Sequence, residues 1–328
     1  MEGTVASFAV AAVAAAAPTV VYVLILWWLD RYEKEPVWLL TLAFLWGALP
    51  GILVALLLEF AWRWSLGAMG NGSGSLIEAG GIAPLVEEGV KGLGLLAIFQ
   101  LYRAEFDDAL DGIIYGGIVG LGFALTENAL YLGNGLLHGG LASFGLLWVL
   151  RVVVFGLNHA LFTAATGVGL GLARLARGGW QKWLAPGLGF ATAVALHATH
   201  NLFAALANIT CWSLLASLLS DWGGLAVLLV AIILSWRQEL GWLRSELASE
   251  VELGVISAQE YAALVSRARR LGGYWTTVVG QGWAAACDRR RRAAWATELA
   301  FKKHQLAAAG PQAGDPAAIE RLRARLRG

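Results

Sequence analysis

Apolar residues run along this chain in windows of about 20, long enough to cross a bilayer as helices. Seven such windows lie at 7–29, 37–58, 81–102, 110–132, 143–171, 184–207 and 212–235. They predict an all-α, polytopic transmembrane helix bundle. Short polar stretches separate them: the charged turn Asp30-Arg-Tyr-Glu-Lys-Glu-Pro36, a Gly/Ser/Asn-rich loop at 67–80, and the turn Arg103-Ala-Glu-Phe-Asp-Asp108. The pattern changes after residue 235, where charged and apolar positions mix and no spanning window remains. There Ser257-Ala-Gln-Glu260 has the form of a capping box, opening a helix expected to reach about Arg270, with Gly272-Gly273 as its stop. The chain is thus expected to divide into a transmembrane domain, 1–235, and a small cytoplasmic helical tail, 236–328.

Composition agrees with the membrane reading. Only 14% of the 328 residues are charged and 58% are hydrophobic, whereas a soluble domain carries about 25% charged residues. The net charge of +1 gives no ground for a nucleic-acid partner, and none is expected. The distribution of charge says more, because 15 of the 24 Lys and Arg follow residue 235. Alternate loops carry Arg31 and Lys34, then Arg103, then Arg174, Arg177 and Lys182, while the opposite set carries little beyond Arg63. By the positive-inside rule this predicts a multi-pass protein of the cell membrane with its N-terminus outside and its C-terminus cytoplasmic. The N-terminal segment lacks a basic n-region, so the first apolar run is expected to be a span and not a cleaved signal. Cys211 and Cys287 fit neither a disulfide framework nor a thiolate metal site. The run Arg289–Arg292 is either a contact for anionic lipid headgroups or the solvated face of a helical tail. Gly112, Gly116 and Gly120 recur every four residues, the spacing that lets helix backbones approach closely in lipid.

Against this background the polar residues inside the apolar windows stand out. A carboxylate near a bilayer centre costs at least about 2.5 kcal/mol. The third window nevertheless holds Glu87 and Glu88, with Lys91 placed to pair with Glu87 one turn on. The fourth holds Glu127 and Asn128, the fifth Arg151, Asn158, His159 and Thr163, and the sixth His197, His200 and Asn201. Peptide hydrolysis needs a base for water, donors for the oxyanion and a proton for the leaving amine. Glu87 or Glu127 supplies the base, and His197 with Asn201 the donors. No Gly-x-Ser-x-Gly elbow and no His-Glu-x-x-His helix appears.

Taken together, these residues resemble the PrsW family of intramembrane proteases. The matching features are Glu-Glu-x-x-Lys at 87–91, Phe-Ala-x-x-Glu-Asn at 123–128, the Arg151-to-His159 segment with Thr163, and His-x-x-x-Asn at 197–201. The Asp30–Pro36 loop is similar to that family's first loop, and the resemblance spans about 18–207. It implies an enzyme related to the CAAX prenyl endopeptidases and, more distantly, to the scaffold subunit of gamma-secretase. By that resemblance Glu87 activates water, Glu127 stands where those relatives carry a histidine, His197 and Asn201 bind the oxyanion, and His159 completes the pocket. Glu88 joins this catalytic set, with Lys91, Asn128 and Arg151 in support. Two catalysts stay open: a metal-free glutamate mechanism, or Zn2+ held by Glu87, Glu127, His159 and His197. The expectation leans metal-free, because no two histidines sit at i,i+4. The resemblance further implies membrane-anchored substrates such as anti-sigma factors. The rival readings are a non-catalytic scaffold for transmembrane helices and a proton-coupled transporter.

Overall fold

The computed structural model describes residues 2–65, 76–176, 178–207, 209–309 and 316–328. Among them the regular structure is entirely helical. Contacts divide the chain into two compact units. The first comprises Met1–Asp30, Glu35–Ala173 and Gly178–Val230, and the second Arg31–Lys34, Arg174–Arg177 and Ala231–Gly328.

The first unit opens with α1 (Glu2–Leu29), α2 (Val37–Trp46) and α3 (Ile52–Ser65), the last two joined by a π-helical turn at Gly47–Gly51. Pro50 accounts for that turn. Proline has no N–H, and its ring crowds the carbonyl four residues back, so the helix widens locally. The Ala48 carbonyl there accepts a hydrogen bond from Thr126 at 2.6 Å. Most of the expected loop at 67–80 lies outside the described residues, but its end is helical, with a π turn at Glu78–Ile82 leading into α4 (Ala83–Leu101).

α5 (Ala109–Leu147) begins on the Asp108 cap, whose carboxylate accepts from the backbone N–H groups of Leu110 and Asp111. Two expected boundaries need correction here. The fourth expected helix, 110–132, does not end at 132 but runs on to Gly140, whose φ of 65° reverses the chain. That left-handed conformation costs glycine little and other residues much. The fifth expected helix, 143–171, is not continuous. Residues 141–154 return along α5 and end in a π-helical stretch, Trp148–Val154. The chain then breaks at 155–157 and resumes as α6 (Asn158–Leu175). The returning stretch is anchored by a small core of Val152, Leu132, Ala11 and Ala15. Its Arg151 donates to the Asn128 side chain at 3.1 Å.

α6 runs antiparallel to the first half of α5 in close backbone contact. A Cβ added at Gly112, Gly116 or Gly120 would fall on the carbonyls of Gly167, Thr163 and His159 respectively. These glycines therefore serve packing. Gly120→Ala is expected to destabilise by about 1–3 kcal/mol, because backbone cannot move aside as a side-chain tip can. Gly187→Ala, inside the helix Gln181–Leu206 where a Cβ meets nothing, should leave stability unchanged or raise it by up to about 1 kcal/mol. Thermal unfolding of both variants in detergent checks the contrast, and equal melting temperatures would refute it.

α7 (Gln181–Leu206) and α8 (Cys211–Glu252) complete the row. By length and composition, four stretches can cross a membrane: Gly3–Leu29, Val37–Ser65, Ala109–Leu175 and Trp212–Glu252. α4 carries Glu87, Glu88 and Lys91, so the groups of interest are what lowers its hydropathy. The protein is an all-α membrane protein.

In the second unit Gly254, at φ 66°, ends α8 and turns the chain. Ser257 and Glu260 form the expected capping box of α9 (Ala258–Leu264). That helix stops at Leu264, short of the expected Arg270. α10 (Arg267–Ala309) instead runs through Gly272-Gly273 and kinks at Gly282. With α11 (Pro316–Arg327) these helices enclose a core that includes Leu243, Leu247, Leu299, Phe301 and Leu322.

Candidate active site

α4 delivers two adjacent carboxylates into different surroundings. Glu88 is fully enclosed and saturated with donors. Lys91 Nζ lies 2.5 Å from its Oε1, Thr163 Oγ1 donates to its Oε2 at 3.0 Å, and His197 Nδ1 sits 2.9 Å from Oε1. Glu87 is nearly as buried, yet its Oε2 has no hydrogen-bond partner. The nearest charged or imidazole nitrogens are Lys91 Nζ at 3.7 Å and His197 Nε2 at 3.8 Å. The expected Glu87–Lys91 pair is therefore the looser contact, and Lys91 belongs chiefly to Glu88. Lys91 also reaches His159 Nδ1 at 3.1 Å and lies 4.3 Å above the Phe123 ring.

Glu127 projects from α5. Its Oε2 is 2.7 Å from Arg151 and 2.7 Å from His159 Nε2. Arg151 comes from the π-helical stretch and stacks 3.8 Å over Tyr131. His159 stands at the second position of α6, directly after the break, which gives that break its role in the site. π-helical distortions of this kind are common at functional sites.

The two imidazoles are held in the same way. Glu127 faces His159 Nε2, and Glu88 faces His197 Nδ1. Each carboxylate accepts the ring N–H it faces, so the lone pair falls on the other nitrogen, Nδ1 of His159 and Nε2 of His197. The rings are perpendicular at 5.1 Å, and Phe162 stacks on His197 at 4.9 Å. Glu87, His159 and His197 can each offer one ligand atom, all within 4.8 Å of one another. With neutral imidazoles the group holds three carboxylates, Glu87, Glu88 and Glu127, against two cations, Lys91 and Arg151. A buried unpaired charge is expensive, so the site favours either a proton or a cation at Glu87.

Asn201 stands on the adjoining side of the site. It lines a cleft of about 40 Å3 together with Glu127, Asn128, Arg151, His159 and His200. At roughly 10–15 Å3 for each probe-sized water centre, this is room for a few waters. The structure thus brings Glu87, Glu88, Lys91, His159 and His197 together, with Glu127, Asn128, Arg151 and Asn201 around the adjoining cleft. The sequence reading passed over Asp221 on α8. It is fully buried and lies 2.7 Å from His200 Nδ1 and 2.9 Å from Asn158 Nδ2. An acid within the apolar window 212–235 was the available signal. A second acidic group, Asp107, Asp108 and Asp111, is occupied in capping α5, since Asp111 accepts the backbone N–H groups of Asp107 and Asp108.

Comparison with known proteins bears on this arrangement. A family model described as "PrsW family intramembrane metalloprotease" matches residues 35–237. The chain is 32% identical over 184 residues to the protease PrsW of Bacillus subtilis, covering 55% of this chain and 76% of that protein. To the protease PrsW of Oceanobacillus iheyensis it is 33% identical over 169 residues, 51% of this chain and 70% of the relative. The match to the protease PrsW of Geobacillus kaustophilus, 34% identical over 147 residues, takes in 45% of this chain and 59% of that relative. The chain therefore spans less than two thirds of that last protein. No solved structure matches. α9, α10 and α11 lie beyond the matched residues.

Proposed function

Since this chain belongs to the PrsW family of intramembrane proteases, we propose that it hydrolyses peptide bonds of membrane-anchored proteins at a centre formed by Glu87, His159 and His197. The observation that carries the reading is the orphaned Glu87 Oε2 facing His197 Nε2, beside two imidazoles each backed by a carboxylate. Two histidines and one glutamate make a common catalytic zinc set, and a carboxylate behind each histidine is the usual support for such ligands. The donor set therefore fits zinc, with Glu87, His159 and His197 as the residues that would hold it. When bound, zinc supplies Lewis acidity toward the scissile carbonyl and makes water a better nucleophile near neutral pH. Glu88 and Glu127 orient the two rings, and Glu127, which also lines the cleft, takes the proton of the attacking water. Asn201 and Arg151 donate to the oxyanion from the cleft wall.

One contact favours a second, metal-free reading. Lys91 Nζ already sits on His159 Nδ1 at 3.1 Å, the lone pair a metal would need. In that case Glu87 itself takes the proton from water. Metal content separates the two. The zinc reading expects about one zinc per purified chain, cleavage of a single-span substrate abolished by a chelator, and recovery on adding zinc. Metal-free protein that still cleaves after chelation would reject zinc and leave Glu87 as the base.

The substrates in this reading are membrane-anchored regulators of the anti-sigma-factor type, and the site lies within the bilayer. In this reading the chain crosses seven times with its N-terminus outside, and α9, α10 and α11 lie on the cytoplasmic side.

A further inference from the structure

We propose that His200 is a second catalytic histidine, the proton donor to the departing amine, and that Asp221 is its positioning residue; this deepens the proteolytic reading above and rests on it. His200 Nδ1 lies 2.7 Å from Asp221 Oδ2, and Asp221 is fully buried. Among the described residues, no lysine or arginine pairs with that carboxylate, and His200 forms its one ion pair. Asn158 Nδ2 donates to the same Oδ2 at 2.9 Å, and Ser217 Oγ does so at 3.2 Å. Three contacts converge on one oxygen while Asp221 Oδ1 has none. The carboxylate is thus aimed at the imidazole, fixing the proton on Nδ1 and stabilising a charged ring, as the aspartate does in a Ser-His-Asp triad.

Ser217 does not complete such a triad. Its Oγ lies 2.9 Å from His200 Nδ1, the nitrogen that already faces Asp221. A relay needs the nucleophile and the carboxylate on opposite nitrogens. His200 lines the cleft with Glu127, His159 and Asn201, and because Nδ1 faces Asp221, Nε2 is the ring nitrogen left to meet a substrate.

Besides the carboxylate that takes the water's proton, His200 is the cleft group placed to supply one. Lys91 is committed to Glu88 and His159, and the protons of His159 and His197 are committed to Glu127 and Glu88. Arginine does not give up its proton. An amine cannot leave as an anion. When water adds to the carbonyl carbon, its oxygen forms the new bond and its proton goes to a site carboxylate, Glu127 in the zinc reading and Glu87 in the metal-free one. When the C–N bond breaks, its electron pair stays on nitrogen, and the proton on His200 Nε2 moves to that nitrogen. His200 then regains a proton from cleft water, and the carboxylate returns its own to water.

A leaving group that needs no proton provides the test. A single-span peptide is prepared with its scissile amide intact and, separately, with a thioester at that bond, since a thiolate departs unprotonated. In liposomes, His200→Gln should cut kcat for the amide by about 10²–10³-fold and leave thioester cleavage near the wild-type rate. Asp221→Asn should give the same split with a smaller amide loss. Retained thioester cleavage also reports that each variant is folded. Equal losses on both substrates in both variants, or no loss on the amide, would overturn the proposal. Glu87→Gln should slow both substrates, so a missing split and a failed hydrolytic centre are distinguishable. If the wild-type protein cleaves neither substrate, the proteolytic reading falls and this proposal with it.

Discussion

Glu87→Gln should reduce proteolysis of a membrane-anchored substrate by about 10²–10⁴-fold, the range for losing a general base, while leaving the fold at least as stable as wild type. In both readings of the site the carboxylate acts through its negative charge, as base or as ligand, and glutamine has the shape without the charge. Stability should move the other way. Glu87 Oε2 has no hydrogen-bond partner to lose, and removing its charge leaves Glu88 and Glu127 balanced by Lys91 and Arg151. Groups strained for function commonly stabilise a protein when neutralised. Cleavage rates in liposomes beside thermal unfolding in detergent check both halves. Activity within tenfold of wild type, or a lowered melting temperature, would count against the assignment.

Much of this was legible in the sequence, for a simple reason. In lipid every polar side chain is costly, so Glu87, Glu88, Glu127, His159 and His197 announce themselves against apolar neighbours. The charged turns, the Gly112–Gly116–Gly120 packing face and the Ser257–Glu260 cap follow equally local rules. What the sequence withheld depends on tertiary contact. Gly139 and Gly140 look alike in sequence, and only packing of 141–154 back onto α5 selects Gly140 for the positive φ. The break at 155–157 lies inside an apolar run without proline, so hydropathy reads straight through it. The division of labour between Glu87 and Glu88 depends on which helix each faces. Spacing is also silent on the histidines: no i,i+4 pair joins His159 and His197, and they meet only because α6 and α7 bring their rings together at 5.1 Å. Asp221 gave the ordinary signal of an acid in an apolar window, but nothing local names His200, 21 positions away, as its partner.

Lys91→Met should destabilise the protein by about 3–5 kcal/mol, although methionine fills nearly the same volume. A surface ion pair would be worth less than about 1 kcal/mol, so burial decides the magnitude. The Lys91 and Glu88 side chains are both fully buried, with Nζ 2.5 Å from Oε1. Without the ammonium, Glu88 keeps only His197 and Thr163, and three carboxylates face Arg151 alone. His159 Nδ1 also loses its donor. The same reasoning fixes the sign of a second substitution. Adding Glu88→Gln to Lys91→Met removes the stranded charge and should recover much of the loss, because deleting both members of a buried pair is often close to neutral. A double-mutant cycle read by denaturant unfolding in mixed micelles measures this coupling directly. A Lys91→Met variant within 1 kcal/mol of wild type, or a double variant no more stable than the single, would contradict the structure's placement of Lys91 as the cation that makes Glu88 tolerable inside the bundle.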